Sequence, residues 1–217
     1  MSASVAVLDY GLGNLFSIRR ALAHVGGDAE ITASPQDVAR AKGVVLPGVG
    51  AFADGMQGLA SRGLIEALRG AVRERRPLLG ICLGMQLLFD ESEEFGVHQG
   101  LGVFRGRVVR LRDEAQDGAR LKIPHIGWRE LTPASGRVWT STILEGLPPG
   151  EAMYFVHSYV PDPTAAEIQV AEMGYGGHRY CVVAEQEQVI GCQFHPEKSG
   201  ESGLHLLRNF LARVRHA

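Results

Sequence analysis

Short apolar runs that alternate with helical segments constrain the fold of the first half of the chain. The runs, each a predicted strand, cover residues 5–8, 29–32, 43–46 and 77–79. Most of them lack the polar alternation of a half-exposed strand, which is typical of strands buried on both faces of a parallel sheet. Amphipathic helical patterns follow at residues 15–25, 54–62 and 64–75. This order predicts an α/β fold with a doubly wound, mostly parallel sheet flanked by helices, as in flavodoxin-like proteins.

The second half of the chain has a different texture. From about residue 100 onward, β-rich segments are separated by turn signals and no longer alternate with helices. The predicted β segments are residues 106–111, 131, 138–140, 153–160, 168–172, 180–184 and 189–194. They predict antiparallel strands added to the same sheet or beside it, before a closing amphipathic helix over 202–214. A length of 217 residues fits one domain spanning residues 1–217.

Composition argues against several classes of protein. The formal net charge of −2 does not favour binding to nucleic acid through bulk charge. Three cysteines without paired spacing favour a reducing compartment, and no apolar run approaches the length of a membrane span. Residues 1–4 lack the basic start of a signal peptide, so a cytoplasmic protein is expected. Beyond Cys192 and His195, no second pair of residues has zinc spacing, so no metal site is expected.

Residues 80–84 combine a cysteine with two flanking glycines, Gly-Ile-Cys-Leu-Gly, between a predicted strand and a predicted helix. This is the cysteine form of a nucleophile elbow, a turn too sharp to accommodate side chains on either side of the nucleophile. It places Cys82 at a helix N-terminus, where the dipole favours the thiolate, the nucleophilic form. Taken alone, the motif is also open to a second interpretation, a core cysteine beside packing glycines, which is the less favoured of the two.

A candidate base follows the last predicted strand. His195 comes directly after this apolar segment, Pro196 ends the strand, and Glu197 is close enough in sequence to orient the imidazole. A base held by a carboxylate and set beside a thiol is the arrangement of a catalytic triad in its cysteine form. Cys82 and His195 are distant in sequence, so the prediction requires the fold to bring them together.

Several other segments are open to more than one interpretation. The glycine-rich loop 47–52 follows a strand, so its N–H groups can face a ligand; we interpret it as an oxyanion hole centred on Gly50, with a plain turn as the alternative. The loop 9–14 lacks the third glycine of a dinucleotide fingerprint, because Phe16 occupies that position. Residues 90–94 are interpreted as an acidic loop, facing solvent or substrate. Four arginines are expected to form a solvated or partner-facing edge: Arg105, Arg107, Arg110 and Arg112.

Segments 80–86 and 194–197 together resemble the class I (triad) glutamine amidotransferases. Four further stretches resemble those members of the family that act in histidine biosynthesis: residues 9–14, 47–52, 124–128 and 195–200. The resemblance spans the whole chain. Alternatives are another triad amidotransferase, such as the glutaminase of pyridoxal phosphate synthesis, and a non-enzymatic subunit that has kept the fold. Segment 124–128 argues against the first, and the intact triad against the second.

The resemblance implies a role for each matching residue. Cys82 attacks the side-chain amide of glutamine, His195 transfers protons, Glu197 holds His195, and N–H groups near Gly50 and Leu83 stabilise the oxyanion. Further positions match the family's glutamine pocket: Gly48, Val49, Gln86, Glu94, His157, Ser158 and Tyr159. Without any cofactor, ammonia passes to a (βα)8-barrel cyclase partner, which Pro124, Ile126 and Trp128 are expected to face. The family usually has Asn after the Gly-Trp pair, whereas this chain has Arg129.

Overall fold

A nine-stranded sheet forms the centre of the computed structural model, which describes residues 5–217. The expectation drawn from residues 1–4, the absence of a signal peptide, lies outside these residues. The first half contains β1 (Val5–Leu8), α1 (Leu15–His24), β2 (Ala29–Thr32), α2 (Pro35–Arg40), β3 (Gly43–Leu46), α3 (Phe52–Ser61), α4 (Leu64–Arg73), β4 (Leu78–Ile81) and α5 (Leu83–Leu87). The second half contains β5 (Phe89–Ser92), β6 (His98–Gln99), β7 (Phe104–Arg110), β8 (His125–Pro133), β9 (Ala152–His157), β10 (Tyr159–Pro163), β11 (Gln169–Tyr175), β12 (His178–Gln186), β13 (Val189–Cys192) and α6 (Gly200–His216).

The large sheet has a parallel part and an antiparallel extension. Its strand order is β2-β1-β3-β4-β13-β12-β11-β8-β9. The strands from β2 to β13 are parallel, in the arrangement of a flavodoxin-like doubly wound sheet. Every later pair, from β13–β12 to β8–β9, is antiparallel. The predicted α/β class is therefore confirmed, including the added antiparallel strands.

The unbroken apolar runs are explained by two cores, one on each face of this sheet. Successive side chains of a strand point to opposite faces, and all four residues of β1 are buried. Val5 and Val7 join the core that contains residues of α1 and α6, whereas Ala6 and Leu8 join the core beneath α2, α3, α4 and α5. Both faces are thus covered by helices, which is what the absence of polar alternation predicts.

A second sheet, in the order β10-β7-β5-β6, corrects the interpretation of residues 90–94 as a loop. Residues 89–92 form β5, which pairs with β7 in parallel. The charges of the two strands explain why an acidic segment tolerates pairing. The Asp90 carboxylate lies 3.5 Å from Arg105, and Glu93 lies 2.8 Å from Arg107. The acidic segment and part of the arginine-rich edge therefore neutralise each other.

Two other predicted strands differ from the structure. Residues 138–140 form no strand; they lie among turns, and the Trp139 indole N–H donates to the carbonyl of Val170 at 3.2 Å. The segment 153–160 is two strands, because the chain leaves the large sheet after His157 and enters the small sheet at Tyr159. This crossing places residue 158 between the two sheets.

Candidate active site

Cys82 lies in a strained turn between β4 and α5. Its backbone angles are φ +55° and ψ −112°, which non-glycine residues rarely adopt but which suit a nucleophile elbow. The Cys82 N–H donates to the carbonyl of Cys192 at 2.8 Å, which ties the turn to β13. On the other side, a methyl group at Gly84 would overlap with the Leu46 carbonyl oxygen of β3. The glycine is therefore required because two backbones approach closely there.

The pairing of β13 with β4 brings His195 to the same edge of the sheet. The two strands are parallel, with Cys192 opposite Ile81, so the loops that follow them emerge side by side. His195 Nδ1 lies 2.9 Å from Glu197 Oε1, and both side chains are 4% exposed. A carboxylate at Nδ1 fixes the ring and leaves Nε2 for a reacting group. Within the described residues, the buried Nε2 atom has no hydrogen-bond partner.

The electrostatics of His195 couple it to Cys82. Burial is the largest single effect and lowers the pKa of His195, but interactions with Cys82 and Glu197 together raise this pKa to about 10. An imidazolium beside the sulfur favours the thiolate. A helix dipole was expected to favour the thiolate, but α5 has only five residues. Because one turn sums few peptide dipoles, the dipole of α5 is weak.

Cys82 lines a cavity of about 290 Å³, close to the lower end of volumes usual for small-molecule sites. Its other lining residues are Val49, Gly50, Leu83, Gln86, Glu94, Pro124, Val156, His157, Ser158 and Tyr159. The structure thus gathers the predicted glutamine pocket around the thiol, except for Gly48. Gly48 is buried behind the cavity, where a side chain would overlap with the Tyr10 hydroxyl. The roles of these residues in binding a substrate stay predictions.

Some polar groups of the cavity wall are already engaged within the protein. The Gln86 amide nitrogen donates to the carbonyl of Tyr159 at 3.0 Å and to Oε1 of Gln193 at 2.9 Å. The Glu94 carboxylate accepts the Phe52 N–H at 2.6 Å, at the start of α3. These contacts hold the wall in place, since they join segments that are distant in sequence.

His157 is a neutral group of this wall. Burial lowers its pKa to about 4, and Nδ1 lies 2.8 Å from the carbonyl oxygen of Tyr159. Because a carbonyl only accepts, Nδ1 carries the proton and Nε2 is an acceptor. His157 therefore cannot serve as a second imidazolium beside Cys82 near neutral pH.

The predicted oxyanion hole is partly occupied by the protein itself. Gly50 has φ +119°, a conformation that favours glycine. However, the N–H of Leu83, the second predicted donor, donates to the Gly48 carbonyl at 3.3 Å. In this state the Leu83 N–H can stabilise an oxyanion only after that bond is released.

Two residues that contact the site received no role from the sequence. Tyr10 is buried and donates to the Pro47 carbonyl at 2.6 Å, and burial together with the charge of Cys82 raises its pKa. Gln193 is fully buried, and its Nε2 lies 3.6 Å from the Cys82 sulfur. Two sequence signals could have pointed to these residues: Gln193 is polar within an apolar segment just before His195, and Tyr10 lies at the start of a glycine-containing loop. Neither signal is specific.

The residues predicted to face a partner lie on β8 or directly before it. Pro124 lines the cavity, and Ile126 and Trp128 are 55% and 54% exposed. Since they are two positions apart in one strand, these two side chains share a face. At position 129 the family usually has Asn, whereas this chain has Arg129, whose guanidinium lies 5.1 Å from the centre of the Tyr175 ring.

Among residues 5–217, His, Cys, Asp and Glu side chains form no group of three or more that is able to hold a metal ion. No helix in the part of the chain that the structure describes has the length and apolar character needed to cross a bilayer.

Comparisons with known proteins agree with the fold and show the family of the chain. The family model for glutamine amidotransferase class-I matches residues 6–214. The crystal structure of a glutamine amidotransferase has a TM-score of 0.74 at 22% identity, covering 98% of this chain and 99% of the matched chain. The glutaminase domain of Trypanosoma brucei CTPS with bound acivicin has a TM-score of 0.67 at 16% identity, covering 98% and 93%. The solved structures establish similarity of fold, and the family match shows that the chain belongs to the class I glutamine amidotransferases.

Relatives of higher identity place the chain in one group within this family. The imidazole glycerol phosphate synthase subunit HisH 1 of Legionella pneumophila (strain Lens) is 45% identical over 210 residues, covering 96% of this chain and 99% of the relative. The subunit HisH of Syntrophotalea carbinolica is 45% identical, covering 95% and 98%, and that of Geobacillus thermodenitrificans 44%, covering 97% and 96%. Within the class I amidotransferases, the chain belongs with the HisH subunits of imidazole glycerol phosphate synthase.

Proposed function

We propose that this chain is the glutaminase subunit of an imidazole glycerol phosphate synthase and that Cys82, His195 and Glu197 carry its reaction. It hydrolyses glutamine and passes the ammonia to a cyclase subunit built as a (βα)8 barrel. The cyclase uses ammonia to form imidazole glycerol phosphate and aminoimidazole carboxamide ribotide in histidine biosynthesis. The observation that carries the proposal is the convergence of the β4 and β13 loops, which brings the elbow cysteine and the His195–Glu197 pair to one edge of the sheet, where Cys82 lines a cavity of amino-acid size.

The geometry supports a two-step hydrolysis. The Cys82 thiolate attacks the side-chain carbonyl carbon of glutamine, and the carbonyl oxygen becomes an oxyanion. As this intermediate collapses, the C–N bond breaks, the His195 imidazolium gives its proton to the leaving nitrogen, and ammonia and a thioester remain. Water, losing a proton to His195, then attacks the thioester, which releases glutamate and restores the thiolate. Glu197 holds the ring through Nδ1 during both steps.

The state of the oxyanion loop supports control by the partner. The Leu83 N–H is engaged by Gly48, and loss of one oxyanion donor costs about 3–4 kcal/mol in comparable enzymes. A loop change that the cyclase and its ligand favour, in which the Val49–Gly50 peptide reorients and Gly48 releases the Leu83 N–H, restores the hole and raises turnover. Crystals of the free and the complexed subunit should therefore differ in the orientation of this peptide.

The test measures glutamate release by the full-length chain, alone and with the cyclase and its ligand. We expect slow release alone and strong stimulation by the liganded partner. Cys82→Ala and His195→Ala should lower turnover by up to about 10⁶-fold, as in comparable triads. Cys181→Ala is the matched control, because this buried thiol lies in β12 outside the cavity. Normal turnover by Cys82→Ala would contradict the mechanism, and fast turnover without the partner would contradict the coupling.

A further inference from the structure

A chain of buried amide groups ends at the sulfur of Cys82. Gln193 is fully buried, between the end of β13 and His195. Its Nε2 lies 3.6 Å from the Cys82 sulfur, and its Oε1 accepts a hydrogen bond from Gln86 at 2.9 Å. Burying an amide is costly unless its groups are satisfied, so both ends of this side chain are defined by their partners.

The orientation of the Gln193 amide follows from a fixed point in the backbone. The carbonyl of Tyr159 only accepts, so Gln86 must present its amide nitrogen there, at 3.0 Å. The second N–H of the same nitrogen then donates to Gln193. Gln193 must therefore use its oxygen toward Gln86, and its own N–H is directed to Cys82. The order of donors and acceptors leaves no alternative assignment of the two amides.

We propose that Gln193 is a catalytic residue of the glutaminase site, whose N–H donates to the Cys82 thiolate and holds it for attack, with Gln86 orienting the donor. This inference rests on the proposed function, in which Cys82 is the nucleophile. The neutral thiol and the thiolate use different partners. As a thiol, Cys82 donates weakly to the carbonyl of Val156 at 3.9 Å; as a thiolate, it only accepts, and Gln193 is a buried donor already in place. A hydrogen bond to a charged group is stronger than one between neutral groups.

The test follows the alkylation of Cys82 by iodoacetamide as a function of pH, with the full-length chain and peptide mapping to separate Cys82 from the other cysteines. Gln193→Met keeps the length of the side chain and removes the donor. We expect the pH profile of alkylation to move to higher pH, and the rate at pH 7 to fall by roughly 10- to 100-fold, the usual worth of a hydrogen bond to a charged group. In glutamine hydrolysis, kcat should fall by a similar factor and KM by little.

Two further variants test whether loss of the donor to Cys82 causes the shift in the alkylation profile. In Gln193→Glu, the side chain still accepts the hydrogen bond from Gln86, but it presents an acceptor instead of a donor to the sulfur. The pH profile of alkylation should therefore shift at least as far as in Gln193→Met. Gln193→Glu replaces Gln193→Met in the test if Gln193→Met does not fold. Gln188→Met is the control, because this amide lies between β12 and β13 at the opposite end of the sheet; its profile should match the wild type.

The outcomes separate this inference from the function on which it rests. If Cys82→Ala is inactive while a folded Gln193→Met or Gln193→Glu keeps the wild-type pH profile, Gln193 is only a structural residue and the inference is overturned. If Cys82→Ala turns over glutamine at the normal rate, the proposed function fails, whatever the profile of Gln193→Met. A shifted profile together with inactive Cys82→Ala supports both.

Discussion

At the scale of single residues, the candidate triad shows what a local sequence pattern can predict. The glycines around Cys82 and the short separation of His195 from Glu197 are sequence features with direct physical consequences, since one demands a tight turn and the other allows an oriented imidazole. Gln193 and Tyr10 have no such local signature. Their roles depend on what lies opposite them, and those neighbours come from distant segments.

Replacement of Glu197 by Gln should uncouple His195 from its carboxylate. Because the negative charge of Glu197 helps to raise the pKa of His195 to about 10, this pKa should fall in Glu197→Gln. The amide also favours the wrong tautomer, and we expect kcat to fall by about 10³- to 10⁴-fold, as in comparable triads. NMR titration of the imidazole and a glutaminase assay measure the two effects. Glu201→Gln, an exposed site in the first turn of α6, should change neither.

At the scale of elements, the closest backbone contacts are at the elbow. α5 is short and buried, and it packs on β3 and β13 through residues that have no room to grow. The sheet register then sets which loops meet, since the β4 and β13 pairing aligns their carboxyl ends. A small change in either contact should therefore affect both stability and the position of Cys82.

Gly84→Ala should be severely destabilising, because the added methyl group overlaps with the Leu46 carbonyl. We expect a loss of about 3 kcal/mol or more in the free energy of unfolding, since backbone must move to relieve the overlap. Gly70→Ala is the matched control: it lies inside α4, where a methyl group would meet only the end of the Arg73 side chain at 3.8 Å, so it should stabilise by up to about 1 kcal/mol. Urea denaturation of both variants makes the comparison, and equal stability would contradict the packing argument.

The β8–β9 pair carries two buried histidines that predict sensitivity to acid. Burial lowers the pKa of His157, and burial with the charge of Arg129 lowers that of His125, each to about 4. In the unfolded chain both titrate near 6.5, so between pH 6.5 and 4 the unfolded state binds more protons than the native state. The contribution of these two histidines to stability is therefore fully present above pH 6.5 and falls as the pH decreases, by up to about 1.4 kcal/mol per pH unit for each histidine.

His125→Phe should remove part of this loss. The ring at position 125 already packs against Phe155 and Tyr175, so an apolar ring fits the site. We expect the difference in unfolding free energy between pH 7 and pH 5 to shrink by roughly 1–2 kcal/mol relative to the wild type. The exposed His216, substituted in the same way, serves as control. An unchanged difference in His125→Phe would show that His125 is not neutral in the native state.

At the scale of the whole molecule, the doubly wound sheet is covered by helices on both faces, and one end of it carries the site. The relatives are subunits of a synthase, which implies a partner cyclase. Ile126 and Trp128 form an exposed apolar face on β8, next to Pro124 at the cavity. Large aromatic side chains at interfaces are frequent hot spots, so this face is the natural place to test for contact with the cyclase.

Trp128→Ala should weaken binding of the cyclase without destabilising the free subunit. We expect a loss of about 2–4 kcal/mol in the free energy of association, the range of an aromatic hot spot, measured by calorimetric titration with the purified cyclase. Val138→Ala removes another exposed apolar side chain, 71% exposed and beyond the far end of β8, and should bind normally. Equal affinity of both variants would place the interface elsewhere.

The sequence by itself determined the α/β class, most strands of the parallel part and the candidate triad. These follow from local physics: burial on both faces of a strand, the geometry of a turn, and the spacing of a carboxylate from a base. It did not determine that residues 89–92 pair with β7, that segment 153–160 divides between two sheets, or that the Leu83 N–H is engaged by Gly48. Only the tertiary structure decided these, because each depends on a partner from a distant segment, and a strand's pairing or an amide's acceptor is set by whichever group the fold places opposite it.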